Sequence, residues 1–361
     1  MTRSSSRRTS TRWRTSRPSS SASKPRPEGA AVDLQPPVHR FLEASRDRAP
    51  EAIALEAGDR SVSYAALDAE ANRIAASLLS SGVQHGDRVA LLAENGPGYV
   101  AGFFGILKAG ACCVALNTLN KTRTNVALLD DSGAVALITR AVQVRRELPE
   151  LLARSPRLRT VLIDRTNPAW DLPDGVRVLT AADVAAQTDA RPPVEVAGND
   201  LCTILYTSGS TGKPRGVTLT HANLAANTRQ ILGYLPITAD DSVLCVLPFH
   251  YSFGNSLLMT HLAAGGRVVV DNRFAYPAAV VDHLAESRAT SFSGVPSTFA
   301  ILAARTDFLA RGWPDLRCVT QAGGGMTRAL ARRVRDGLPD HVDLYVMYGQ
   351  TEASARLSYV P

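Results

Sequence analysis

The apolar positions of the chain switch repeatedly between two periods. In SYAALDAEANRIAASLLSSG, Leu67, Ala71, Ile74 and Leu78 recur at helical spacing, with Ser63 placed to cap the start and Gly82 to end the helix. RVALLA (88–93) follows as a continuous run of strand length. The longest apolar stretch, YVAGFFGILKAGACCVAL from Tyr99, is interrupted by Lys108 and three glycines. It predicts a buried helix leading into a strand rather than a membrane span. LCTILY (201–206), VLCVL (243–247), RVVVD (267–271), LRCVT (316–320) and VDLYVM (342–347) read as further central strands. PAAVVDHLAESR (277–288) predicts an amphipathic helix with Pro277 in its first turn. Strands and helices in alternation predict an α/β fold with a mainly parallel sheet sandwiched by helices. Ligands of such folds sit beyond the carboxyl ends of the strands, so the loops after strands are the candidate sites.

Charge divides the chain differently from hydropathy. The formal charge of +7 is local: residues 1–27 hold eight basic residues and no acid, so the remaining 32 Lys and Arg nearly balance the 33 Asp and Glu. This Ser/Arg/Pro-rich start has almost nothing to bury, and residues 1–31 are expected to be a disordered basic tail before a domain spanning 32–361. An organelle transit peptide and a nucleic-acid-binding arm are the alternatives; charge alone gives only salt-sensitive, non-specific affinity, so no specific nucleic-acid partner is expected. No apolar segment of secretory type follows the basic residues. Five cysteines without a CxxC pair suggest reduced core residues of a cytoplasmic protein.

The densest chemistry is in YTSGSTGKPRGVTLTH (206–221). A Walker loop would need glycine where Thr207 stands and a hydroxyl residue where Pro214 follows Lys213, so that pattern fails twice. The ingredients of a phosphate cradle are nonetheless together. A strand precedes the loop, and Gly209 and Gly212 free backbone N–H groups to turn toward an anion. Thr207, Ser208, Ser210 and Thr211 offer hydroxyls, Lys213 a compact cation, and a helix is expected to begin near Thr220. A solvated Ser/Gly connector is the bland alternative.

YTSGSTGKPRGV resembles, nearly letter for letter, the phosphate loop of the AMP-forming adenylating enzymes: acyl-CoA synthetases, luciferases and peptide-synthetase adenylation domains. Matching segments, among them AGFFGILKAGACCVALN and VMYGQTEAS, run from about residue 38 to the end. The resemblance implies nucleotide binding by Thr207, Ser208, Gly209, Ser210, Thr211, Gly212 and Lys213. It also implies that Gly323, Gly324 and Gly325 in QAGGGM line the adenine and the acyl pocket, and that Tyr348, stacked on the adenine, and Gly349 bind the nucleotide. It makes Lys213, Thr351 and Glu352 of YGQTE the catalytic set, Thr351 on a phosphate and Glu352 on Mg2+. LPFHYSFG (247–254) then borders the acid, with His250, Gly254 and Gly325 shaping its pocket. His250 stands where peptide-synthetase domains have an ammonium-binding Asp, which favours a fatty or aryl acid without an α-amino group. SGVPSTFA (293–300) resembles an acyl-pocket corner and DNRFAYP (271–277) a surface turn.

In that family a carboxylate attacks the α-phosphorus of ATP, pyrophosphate leaves, and a thiol such as coenzyme A displaces AMP. The family also uses a TGD aspartate and a late lysine on a mobile C-terminal domain. The last of the four lysines here is Lys213, and the only Gly-Asp pairs are at 58–59 and 86–87. The expectation is therefore an incomplete N-terminal domain with weak or no full-cycle activity. The alternative is a nucleotide- or acyl-binding protein, or one completed by a partner chain.

Overall fold

A computed structural model describes residues 37–208 and 213–360. The basic tail and Gly209–Gly212 lie outside the described residues. Strands β1 (Ile53–Ala57) and β2 (Arg60–Ser63) form a hairpin ahead of helix α2 (Tyr64–Ser80), which α1 (Arg40–Arg48) precedes in the chain. Then come β3 (Arg88–Leu92), helix α3 (Pro97–Lys108), β4 (Cys112–Ala115), β5 (Ala136–Thr139), β6 (Thr160–Ile163), β7 (Arg177–Thr180), β8 (Leu201–Ser208) and β9 (Pro214–Thr220). The second half adds β10 (Ser242–Cys245), β11 (Arg267–Val270), β12 (Ser291–Gly294), β13 (Cys318–Gln321), β14 (Asp343–Tyr348) and β15 (Ser358–Val360).

The expected single pattern of alternation resolves into two sheets. One runs β7-β6-β5-β3-β4-β8-β9, parallel except for β9, and the other β15-β14-β13-β12-β10-β11-β1-β2, parallel except for its two end strands β15 and β2. Two helices are buried all round: Tyr99 to Lys108 of α3, and Phe253 to Ala263 of the helix Ser252–Ala264. They share one core with alternate residues of both sheets. Val89 and Leu91 of β3, Val243 and Cys245 of β10, and Val268 and Val270 of β11 all face it. The intervening Ala90 and Leu92 belong to a second cluster, Leu244 and Val269 to a third. Period-two alternation inside apolar runs thus covers both faces of each sheet, which explains why these strands read as continuous hydrophobic segments.

The glycines in the long apolar stretch have a packing reason. A Cβ on Gly105 would lie 2.6 Å from Ile74 Cγ2 and 2.9 Å from the Ala71 carbonyl, so the glycine lets α3 press against α2. Lys108, which interrupts the same stretch, is buried too. Its Nζ lies 2.6 Å from Asp68 Oδ1, 2.7 Å from Asn72 Oδ1 and 3.1 Å from Glu43 Oε1, tying α3 to α2 and α1. No helix among the described residues is long and apolar enough to cross a membrane.

Candidate functional site

Parallel strands deliver their carboxyl ends to one edge, and four of the singled-out loops lie there, after β10, β12, β13 and β14. After β10 the chain turns through Leu247–Tyr251 into the helix Ser252–Ala264. Asn95, from the loop after β3 in the other sheet, clamps this turn. Its Nδ2 donates to the Leu247 carbonyl at 2.8 Å and its Oδ1 accepts from the Phe249 N–H at 2.8 Å. Gly254 belongs to the same packing: a Cβ there would sit 2.2 Å from the Pro248 carbonyl oxygen. His250 is 9% exposed, its ring 4.4 Å from that of Tyr251, and its Nε2 has no partner among the described residues. Burial pushes the imidazole down to about 4, so at neutral pH it is an uncharged hydrogen-bonding group rather than a counter-ion.

The corner after β12 and the glycines after β13 meet. Gly323 is left-handed (φ +79°) with Val295 Cγ1 3.0 Å from where its Cβ would stand, and Gly324 lies similarly at 3.4 Å from Pro296. Gln321 Nε2 fixes the turn by donating to the Gly324 carbonyl at 3.0 Å. Gly325 faces open space.

The turn after β14 is the most constrained. Gly349 admits no side chain, because Ala355 crosses directly over it, and Ser354 and Ala355 hold positive φ values of 62° and 122°. Such strain in residues with side chains persists only where the surroundings over-determine it, often at functional turns. Between these points Thr351–Ala353 forms one 3-10 turn, with Thr351 Oγ1 3.2 Å from Ser252 Oγ at the start of the buried helix. Glu352 is exposed beside it, and Tyr348 is 62% exposed.

The glycine-rich loop connects β8 to β9 as an antiparallel hairpin, with Ser208 opposite Pro214. This corrects one part of the sequence reading. A helix does begin at the Thr220 cap, with Thr220 Oγ1 accepting from the Asn223 N–H. However, the seven-residue β9 intervenes, and Thr220 lies opposite Leu201, at the other end of the hairpin from the loop. The helix terminus therefore lies at the end of the hairpin away from the glycine-rich segment. Thr207 is half-buried and paired with Arg215, and Lys213 is exposed. The Ser208 side chain and residues 209–212 lie outside the described region. β9 packs against the Thr351–Ala353 turn, which brings the two signature segments together across the two sheets.

Sequence reasoning missed Asn95, Ser252 and Arg356. Arg356 is 3% exposed directly behind the Thr351 turn, and its position as a lone cation in SARLSYV was the only available signal. A cavity of about 140 Å³ lies elsewhere, at the amino ends of the strands, lined by Asp241, Ser291, Cys318 and Asp343 among others.

A family model described as "AMP-binding enzyme" matches residues 42–361. The chain belongs to the AMP-binding enzyme family. Feruloyl-CoA synthases of Amycolatopsis sp and Streptomyces sp are 34% identical to it over 312 residues, covering 84% of this chain and 57% of theirs. Tyrocidine synthase 3 of Brevibacillus parabrevis is 31% identical over 335 residues, 89% of this chain and 5% of that much longer one. The anthranilate CoA ligase AuaEII, solved with anthranoyl-AMP, superposes with a TM-score of 0.81 at 22% identity, over 90% of this chain and 61% of that one. The chain thus spans little more than half the length of the CoA-ligase relatives. The architecture of alternating layers is that of the N-terminal domain of adenylating enzymes.

Proposed function

We propose that residues 32–361 of this AMP-binding chain form the nucleotide and acid sites of an AMP-forming acid–thiol ligase. The observation that carries the reading is the packing of β9, which starts beside Lys213, on the Thr351–Ala353 turn. That contact supports a reading in which Lys213, Thr351 and Glu352 serve one site. Lys213 and the backbone of residues 207–212 hold the phosphates, Thr351 donates to a phosphate oxygen, and Tyr348 with Gly323–Gly325 takes the adenine. Ser252, hydrogen-bonded to Thr351, orients that hydroxyl.

The acid binds beside His250, Gly254 and Gly325 with its carboxylate toward the α-phosphate, and its attack expels pyrophosphate. Positioning and charge neutralisation supply the catalysis. Exposed Glu352 fits a Mg2+ held by one carboxylate and substrate phosphates, the usual manner for that ion, which neutralises phosphate charge when bound. The neutral, buried His250 suits an acid without an α-amino group, in keeping with the CoA ligases among the relatives. Coenzyme A is the proposed acceptor, and the cytoplasm the proposed compartment, in keeping with five free thiols.

Calorimetric titration of the 361-residue chain with ATP and Mg2+ tests the nucleotide site. Binding is expected, and Thr351→Val should weaken it about tenfold or more through loss of a hydrogen bond to a charged oxygen. Failure of the wild-type chain to bind ATP would overturn the proposal.

A further inference from the structure

Arg356 is 3% exposed, among the deeply buried charged residues of the described chain, yet no carboxylate pairs with it among the described residues. Its Nε donates to Ser256 Oγ at 3.0 Å, and its guanidinium carbon lies 5.2 Å from the centre of the Phe253 ring. Nη1 and Nη2 have no well-formed hydrogen bond among the described residues, and the neutral Tyr234 hydroxyl is the one acceptor close enough to touch the guanidinium. The groups that act on the charge are the Tyr234 hydroxyl and the thiols of Cys318 and Cys245, none of them a carboxylate. Tyr234 itself donates to Met347 Sδ at 3.3 Å. Buried charges are ordinarily paired or neutralised, and an arginine does not deprotonate in a protein.

Orientation narrows what is missing. With Nε engaged on the helix, the guanidinium leaves its two terminal nitrogens as a planar fork, the shape that grips a carboxylate through two parallel bonds. Position narrows it further. Thr351 meets the helix Ser252–Ala264 at Ser252 and Arg356 meets it at Ser256, one turn deeper, a separation of roughly 6 Å along the axis. A ligand with one carboxylate at the Thr351 turn and another at the fork would span this interval.

We infer that Arg356 receives a second carboxylate of the acid substrate, so that the site takes a dicarboxylic acid. The inference rests on the acid-activation reading of the site and specifies its substrate class. The monoacid end faces the nucleotide, and the distal carboxylate supplies the anion that Arg356 lacks. Phe253, on the helix between Ser252 and Ser256, presents its uncharged ring to the guanidinium.

Paired probes test this on the 361-residue chain: adipate against hexanoate for an aliphatic spacer, isophthalate against benzoate for an aryl one, with binding measured by calorimetry. The diacid of at least one pair should bind about tenfold more tightly or better, as expected for hydrogen bonds to a charged group. The pair that shows the preference identifies the spacer. Arg356→Met should erase that preference, while Arg356→Lys, a point charge without the fork, should retain part of it. Equal or weaker diacid binding by the wild-type chain in both pairs would overturn the inference without any variant, as would a preference that survives Arg356→Met. ATP titrations run alongside keep the two readings apart: a chain that prefers the diacid but ignores ATP would sink acid activation, not the role of Arg356.

Discussion

Lys108 and Arg356 are both cations sealed inside the same protein, and their surroundings are opposites. The Lys108 side chain, 1% exposed, is met by Asp68, Glu43 and Asn72, with Arg46 and Arg191 completing the outer ring around the two carboxylates. All its partners come from α1 and α2, so the cluster locks three helices into one arrangement. Arg356 has one serine, an aromatic face and a neutral tyrosine hydroxyl, and no carboxylate among the described residues. A matched buried ion serves the fold, whereas an unmatched one weighs against it and needs another reason to be there. The difference separates a structural charge from one kept for a ligand.

Removing the structural charge should have the largest effect. Lys108→Met leaves Asp68 and Glu43 buried without their main partner, and breaking such a pair costs about 3–5 kcal/mol. Urea unfolding followed by circular dichroism should show the midpoint fall accordingly. A loss under about 1 kcal/mol would mean that the Lys108 cluster is no more structural than Arg356, and the contrast would collapse.

How much of this was legible beforehand depends on where the partners sit. The strands β3, β10, β11 and β14 could be read because their residues face apolar layers on both sides, and the Ser63 cap accepts from the Ala66 N–H as its position suggested. β9 was missed because PRGVTLT is an edge strand with only Leu219 buried, so no apolar run marks it. The division into two sheets is invisible locally, since each strand alone carries no record of its neighbours. Within the site, the glycine-rich loop and YGQTE were readable because their functional residues are contiguous. Asn95, Ser252 and Arg356 were not, because each matters through a contact with a residue far along the chain. Lys108 shows the same limit: it read as a mere interruption, since its acids lie on other helices.

Histidines sharpen the contrast by taking a third course. Burial lowers His221, His250 and His261 to about 4, so each sits inside the fold uncharged at neutral pH. Above pH 6.5 these rings are neutral in both states and cost nothing. As pH falls below 6.5 the unfolded chain takes up protons that the folded one refuses, so stability drops until the folded pKa near 4 is reached. Between pH 7 and pH 5 each ring should cost about 2 kcal/mol. Unfolding of His250→Gln should therefore depend less steeply on pH than that of the wild type by about that amount. An unchanged slope would show that the ring takes up its proton as readily inside the fold as in the unfolded chain, so that burial does not keep it neutral.

The smallest expected effect has the most telling sign. Arg356→Met keeps the apolar contact with Phe253 and removes an uncompensated charge, while Ser256 Oγ retains its bond to the Phe253 carbonyl. The variant should be as stable as the wild type or more stable by about 1 kcal/mol, opposite in direction to Lys108→Met. Adding the preferred diacid should reverse this order, because a ligand that binds only the folded wild type stabilises it by about 2.7 kcal/mol at a hundred times its Kd. Chemical unfolding of both proteins with and without the diacid measures the reversal. If Arg356→Met is instead destabilised by several kcal/mol in the absence of ligand, the guanidinium already has its compensation inside the fold, and it belongs with Lys108.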